Sequence, residues 1–382
     1  MELYVHIPFC VKKCRYCSFA SFSASGTEQE AYIRLLLKEA ESRHGEITEP
    51  VTTVYIGGGT PSLLKPSFFR TLTEGLRRIC GLEDVIEFTS EANPGTVNRE
   101  WLDAAAEAGV NRLSFGMQAY QASLLTLLGR IHRFHDVKES VSMAREAGFT
   151  NISLDLMFGI PTQTREQWAE TLEAALSLQP RHISAYGLIP EEGTPLFRDL
   201  ENGTLSLPDP EEERDMYDDA IRLLSENGFC QYEISNFAVP GYECMHNIGY
   251  WTQVPYIGLG LSAASMTGVY NGPDGMSYTR TTNASDIKGY RRTVENEITP
   301  EQAEKVSPEE ACFETMMLGL RMNRGVSTED FFKKHGRSPE QCFGNRLRSL
   351  EDRDLIIRDK GFLRLSRRGF DIQNSILVEL MD

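Results

Sequence analysis

The sequence lacks any run of 18 apolar residues, which excludes a helical membrane span. It lacks surplus basic charge. The formal net charge is −16, which argues against general attraction to DNA or RNA and against a strong electrostatic hold on anionic lipid. A second closely spaced cysteine pair is also missing. Beyond Cys10, Cys14 and Cys17, the remaining cysteines (Cys80, Cys230, Cys244, Cys312 and Cys342) stand singly, so a structural zinc site with two paired ligand sets is disfavoured. The first residues, MELYVHIPF, show no basic segment, apolar run and cleavage site. We therefore expect a cytoplasmic protein with reduced cysteines and no disulfide framework. There is no internal repeat and no low-complexity tract. The glycine run at 57–59 is not followed by GK[ST], so it is not a P-loop.

What the sequence does contain is concentrated near its start. Cys10, Cys14 and Cys17 stand in HIPFCVKKCRYCSF, a C-x3-C-x2-C spacing. Three thiolates on a tight loop can hold three irons of a [4Fe-4S] cluster and leave the fourth iron open to bind a ligand and pass it an electron.

With 382 residues, 41% of them hydrophobic, the chain can bury a large core and suggests two or three domains. Short apolar runs predict strands at 3–6, 53–56, 85–89, 112–116, 152–157 and 182–186. Helical patterns lie between them, at 28–44, 66–79, 98–108, 134–147 and 165–178. Helices that close on Gly109 and Gly148 fit left-handed caps. Strand–helix alternation means a parallel sheet, and six units predict an α/β fold built on a partial (β/α)6, TIM-like barrel over residues 1–205. The cysteine loop follows the first strand and so falls at the carboxyl ends, where such folds place their sites. Residues 206–305 read as an extension: a helix at 208–228, then an aromatic- and glycine-rich segment at 229–283 without a clear period. Residues 306–382 read as an α+β module, with helices at 310–320, 328–335 and 339–352 before a hairpin around Gly361, an order like a winged helix. From residue 310 onward there are 13 Lys and Arg against 12 Asp and Glu, which favours a packing or partner module over a DNA reader.

YVHIPFCVKKCRYCSF resembles the signature of the radical S-adenosylmethionine (SAM) enzymes, and more narrowly the branch that holds anaerobic coproporphyrinogen dehydrogenase and the haem chaperones. The resemblance runs from Tyr4 into the C-terminal module. It implies a [4Fe-4S] cluster on Cys10, Cys14 and Cys17, and SAM chelated at the open iron, where cleavage of a C–S bond releases a 5′-deoxyadenosyl radical. It further implies that Gly58, Gly59 and Thr60 of GGGTP bind the methionine amino end. Tyr4, Tyr16, Glu91, Gln118, Arg130 and Asp155 would contact the cofactor, with Gly187 approaching the adenine by its backbone. Polar residues at strand ends suit these roles: a carboxylate holds ribose hydroxyls, and an arginine pairs with a carboxylate.

Two features bear on the branch. The dehydrogenase pattern continues to a fourth cysteine, where this chain has Phe19, and it carries an N-terminal extension before the first strand. HNIGYW, at 246–251, resembles the HNxxYW hallmark of the haem chaperones. We therefore expect a protein that binds haem and delivers it to apo-haemoproteins such as respiratory enzymes, with His246 as an axial ligand. Cys244 is the alternative donor, and His6, His132, His135 and His182 are weaker candidates. Oxygen-independent coproporphyrinogen III dehydrogenase is the alternative function; a haem-degrading radical methyltransferase and a purely structural iron–sulfur protein also stay open. Nucleic acid is not an expected partner. Peripheral membrane contact and a homodimer are left open.

Overall fold

Short β-branched and aromatic runs become the central strands of one sheet. This computed structural model describes residues 1–296 and 302–381. Strands β1 (Glu2–Ile7), β2 (Thr53–Gly58), β3 (Glu87–Ala92), β4 (Arg112–Gln118), β5 (Asn151–Phe158) and β6 (His182–Gly187) lie side by side in sequence order, all parallel. Helices α1 (Gly26–Ser42), α2 (Pro66–Cys80), α3 (Arg99–Glu107), α4 (Ala122–Leu127), α5 (Phe134–Glu146) and α6 (Arg165–Ser177) alternate with them. All seven residues of β4 are buried, as expected for a parallel strand covered on both faces. Capping boxes at Ser25 and Thr164 start α1 and α6. Gly109 and Gly148 have positive φ, as the expected caps require. The core runs through Leu113, Phe115, Leu154 and Ile183, with Trp101 and Trp168 fully buried beneath the helices.

Past β6 come α7 (Pro195–Glu201) and α8 (Pro210–Glu226), then elements that widen the sheet at both edges. On one side, β7 (Cys230–Gln231) and β8 (Asn236–Ala238) continue antiparallel from β6. The chain then crosses through α9 (Met245–Trp251) to the other edge. There β9 (Tyr256–Leu259) pairs parallel with β1, and β10 (Ala264–Gly272) and β11 (Gly275–Thr282) form a hairpin. Helix α10 (Ile287–Glu295) and edge strand β12 (Gln302–Val306) follow. The segment at 229–283 read as lacking a period therefore holds five strands and a helix; β7, β8 and β9 are only two to four residues long, and glycines fall inside β9 and β10, which hides them. Strand β3 starts two residues later than expected and runs on through Glu91.

The C-terminal module has its own core, centred on Met316, Leu320, Phe331, Leu347 and Leu363. It comprises α11 (Pro308–Gly319), β13 (Val326–Ser327), α12 (Thr328–His335), α13 (Pro339–Asp352), β14 (Ile356–Asp359), β15 (Phe362–Leu365), α14 (Arg367–Asp371) and α15 (Gln373–Met381). Its three strands order as β13-β15-β14. Helix α11 packs on β11, and Thr315 Oγ1 donates to Gln253 Oε1 across the join. No helix of the described residues is long and apolar enough to cross a membrane.

Candidate cofactor site at the carboxyl ends of the strands

The loop after β1 is pinned at both ends by backbone. Cys10 N–H donates to Phe22 O (3.0 Å), and Arg15 N–H to Leu128 O (2.9 Å). The Arg15 side chain also pairs with Asp199. Three half-exposed, free thiols result: Cys10, Cys14 and Cys17. They line one cavity of about 460 Å³, together with Tyr16, Gly58, Gly59, Glu91, Gln118, Arg130, Asp155 and Gly187. Cys14 Sγ accepts from Arg130 Nη1 (3.6 Å), and Cys10 Sγ lies 3.7 Å from Thr60 Oγ1. Three soft donors on one loop, with no fourth cysteine in the cavity, fit a cluster held by three cysteines.

The glycine run is required by space. A Cβ on Gly58 (φ +106°) would lie 2.4 Å from the His6 ring, and one on Gly59 would lie 2.8 Å from the Ile7 and Phe9 carbonyls. Gly58 N–H instead donates to Glu91 Oε2 (3.0 Å), and the Tyr55 hydroxyl donates to Glu91 Oε1 (2.9 Å). Burial, and then the facing Asp155 carboxylate, push Glu91 up to about 7 against those two hydrogen bonds. Burial likewise raises Asp155, which accepts from Ser114 Oγ at 3.1 Å. Two cations face these acids. Arg112 lies fully buried at the cavity floor, and Arg130 is held by Asn93 Oδ1 and Gly116 O, each at 2.7 Å. Gln118 ends β4 with φ +65°. The arrangement offers soft donors for iron at one side, and carboxylates and a guanidinium for hydroxyls, amine and carboxylate groups at the other.

Tyr4 is placed differently. Its hydroxyl donates to His6 Nδ1 (3.0 Å), whose Nε2–H donates to Ala20 O (2.8 Å). Both residues face a neighbouring cavity of about 610 Å³ between β1, β9, β10, β11 and α11. Ser18, Phe19, Gly58 and Glu91 line both cavities. Asn93 was missed by sequence reading. It ties Thr60 to Arg130 (Nδ2 to Thr60 Oγ1, 2.6 Å), and its position two residues after Glu91 in SEANP was the available signal. Arg112 was also missed, because an arginine opening a strand reads as surface.

The structure places the expected haem ligands in enclosed, hydrogen-bonded surroundings. His246 is 1% exposed. Its Nδ1 is hydrogen-bonded to Thr53 Oγ1 (2.7 Å) and its Nε2 to the Tyr250 hydroxyl (2.9 Å), and its ring stacks on Tyr55 at 5.2 Å. Neither nitrogen is free for iron in this conformation, and burial pushes the imidazole down to about 3. Thr53 opens β2, whereas Gly58 ends it, so His246 sits about 16 Å along the strand from the glycine loop. Helix α9 closes the amino end of the barrel. A Cβ at Gly249 would lie 1.8 Å from Glu2 Oε1, so HNIGYW is shaped to fit that end. Cys244 is buried, donates to Glu87 Oε1 (3.2 Å) and is pushed up to about 12, first by burial; it is no ready thiolate. His182 bonds Ser153 and Tyr232, and His132 bonds Met117 O. His135 is exposed beside Glu139.

Comparison with known proteins agrees with this geometry. Residues 4–175 match the Radical SAM superfamily, and residues 306–372 match the HemN C-terminal domain. The chain is 37% identical to Heme chaperone HemW of Bacillus subtilis, over 98% of this chain and 97% of that one. It is 39% identical to Heme chaperone HemW of Escherichia coli, over 76% and 75%. It is 34% identical to the mitochondrial Radical S-adenosyl methionine domain-containing protein 1 of Danio rerio, over 100% and 86%. In fold it resembles coproporphyrinogen III oxidase (HemN) from Escherichia coli, with TM-score 0.85 and 23% identity over 99% and 89% of the two chains. With its cysteine loop, glycine cradle and end-to-end likeness, the chain belongs to the radical SAM superfamily, in the HemW family.

Proposed function

We propose that this protein is a haem chaperone: it carries a [4Fe-4S] cluster and SAM, binds haem, and passes haem to apo-haemoproteins such as respiratory enzymes in the cytoplasm. The observation that carries the reading is likeness to relatives named as haem chaperones along nearly the whole chain. Phe19, 62% exposed at the mouth of the cysteine cavity, stands where the dehydrogenase pattern has its fourth cysteine, which supports the chaperone over the porphyrinogen decarboxylating alternative. Cys10, Cys14 and Cys17 would hold the cluster. Gly58, Gly59, Thr60, Glu91, Gln118, Arg130 and Asp155 would hold SAM, and Tyr16 would pack beside the cluster. When bound, the pair supplies a reductant and a sulfonium. The protein's part is to fix both at the strand ends and to hold the Glu91 and Asp155 carboxylates beside Arg130.

The test is anaerobic reconstitution followed by haem titration and transfer to an apo-haemoprotein. Haem binding with transfer, and no conversion of coproporphyrinogen III to protoporphyrinogen IX, is the expected result. Robust conversion, or no haem binding, would overturn the proposal.

A further inference from the structure

The cysteine loop has two sides. Inward, Cys14 lines the cofactor cavity; outward, it lines a dimple of about 30 Å³ at the protein surface. The dimple and the cavity share Lys12, Asn93 and Arg130, so these side chains form the wall between them. The dimple is far below the range of about 300–1,000 Å³ that small-molecule ligands need. What can reach Cys14 from this side is another surface. The cofactor cavity is the other way in, and SAM would fill it when bound.

Two apolar side chains line the dimple and stand out to solvent: Val11 and Ile131, each 58% exposed. Singly, such exposure is ordinary; the charges around this pair are not. No carboxylate lines the dimple, although the chain carries a net charge of −16. Lys12 lines it, and Lys13 and Arg133 stand beside its residues in the chain. All three cations are exposed, and none is paired with a carboxylate among the described residues. Lys13 donates to Phe19 O (2.8 Å), and Arg133 to His132 O (3.0 Å) and Thr126 Oγ1 (3.3 Å). Arg130 adds a cation behind them, on Cys14 Sγ. The acids of the neighbouring elements are engaged: Asp136 accepts from Arg133 N–H (2.6 Å), Glu139 lies 3.6 Å from His135, and Asp199 is paired with Arg15. The cofactor cavity is the reverse, with Glu91, Asp155 and Glu191 in its lining. Free cations around a small apolar contact, over a cluster ligand, fit an acidic protein that carries electrons. Encounters of that kind use small interfaces and are steered by charge.

We propose that an acidic, low-potential electron-carrier protein docks on Val11, Lys12, Lys13, Ile131 and Arg133 and reduces the cluster by way of Cys14. One electron leaves the carrier's reduced flavin or iron–sulfur group, which is oxidised by one, and the cluster is reduced by one. No bond forms or breaks and no proton moves at this face. The proposal rests on the cluster reading of the cysteine loop and goes beyond it by naming where the electron enters.

The test uses the full-length, anaerobically reconstituted protein with SAM, and a flavodoxin as the acidic one-electron carrier. Oxidised flavodoxin should bind wild type in calorimetry at low salt, and binding should weaken as salt is raised. Reduced flavodoxin should reduce the cluster, read by stopped-flow absorption and electron paramagnetic resonance. The Lys12→Gln/Lys13→Gln/Arg133→Gln variant should weaken binding and slow this reduction roughly tenfold. Val11→Ser/Ile131→Ser should do the same to a smaller extent. Iron content, and reduction by dithionite, which needs no docking face, should stay as in wild type. Unchanged flavodoxin binding and reduction in both variants overturns the site. So does a wild type that dithionite reduces but flavodoxin neither binds nor reduces. A triple variant that loses a wild-type dimer and keeps flavodoxin binding also overturns it, making the face a contact between two copies of this chain. A wild type that takes up no cluster removes the cluster reading as well.

Discussion

The two strongest sequence motifs end up in opposite states. The cysteine loop, at the carboxyl ends of the strands, keeps its donors half-exposed on a cavity. The HNIGYW helix, at the amino ends, spends its imidazole on Thr53 and Tyr250. Both motifs name side chains that can ligate iron; only one presents them. The difference follows from position in the barrel. Loops at the carboxyl ends are free to carry function, whereas the amino end must be closed to complete the core. Closing it here buries Glu2, Thr53, Glu87 and Arg112, and α9 supplies partners: Met245 N–H and His246 N–H both donate to Glu87, and the Cys244 thiol does so as well.

The contrast can be broken most sharply from its open side. Replacing Cys10, Cys14 and Cys17 together by Ala should abolish iron–sulfur content and leave the far-UV circular dichroism and thermal midpoint close to wild type, because the loop lies outside the cores. Cluster assembly surviving in that variant would remove the basis of the site. On the closed side the pattern should invert. His246→Ala should lower stability by about 2–4 kcal/mol, since it opens a buried cavity and strips Thr53 and Tyr250 of their partner, while the cluster still assembles. Denaturant unfolding measures this. An unchanged midpoint with haem binding lost would support His246 as the axial ligand.

A smaller effect lies within the open site. Gly58→Ala places a methyl against the His6 ring at a positive φ and displaces the N–H that holds Glu91. SAM affinity, by calorimetry on reconstituted protein, should fall roughly tenfold with cluster content retained. Equal affinity would mean that the glycine cradle does not set the cofactor pose.

Much of this fold was legible because its signals are local. Six strands buried on both faces read as apolar runs, glycines stop the helices, and the cysteine spacing is complete within eight residues. What was not legible depends on long-range closure. Strand β9 is only four residues long and is recognisable as a strand chiefly because β1, some 250 residues earlier, pairs with it. Glu2, Glu87 and Arg112 look like solvent positions until α9 covers them. Cys312 and Cys342 read as isolated, yet both line one cavity of the C-terminal module. The motif at 246–251 was read for its chemistry, when its neighbours decide whether that chemistry is available.

The finest test addresses the charge state of the closed end. Glu2 is buried beneath α9, Oε2 has no hydrogen-bond partner, and the His246 ring is 3.9 Å away. Burial pushes its carboxyl up to about 9, so the folded protein keeps a proton there that the unfolded chain releases above about 4.5. Between those values the unfolded state binds fewer protons, and stability must fall as pH rises, by at most about 1.4 kcal/mol per pH unit from this group. Glu2→Gln keeps the shape and removes the titration. Its stability relative to wild type should therefore grow steadily from pH 5 to pH 8 in denaturant unfolding. The buried neutral histidines act in the opposite sense: His246 and His132, held down to about 3 and about 4, cost stability only as pH falls below about 6.5, where the unfolded chain takes up their protons. The Glu2 signal is thus clear of theirs above pH 7, and a difference that stays flat between pH 7 and 8 would mean that Glu2 is ionised in the fold and paired with a protonated His246.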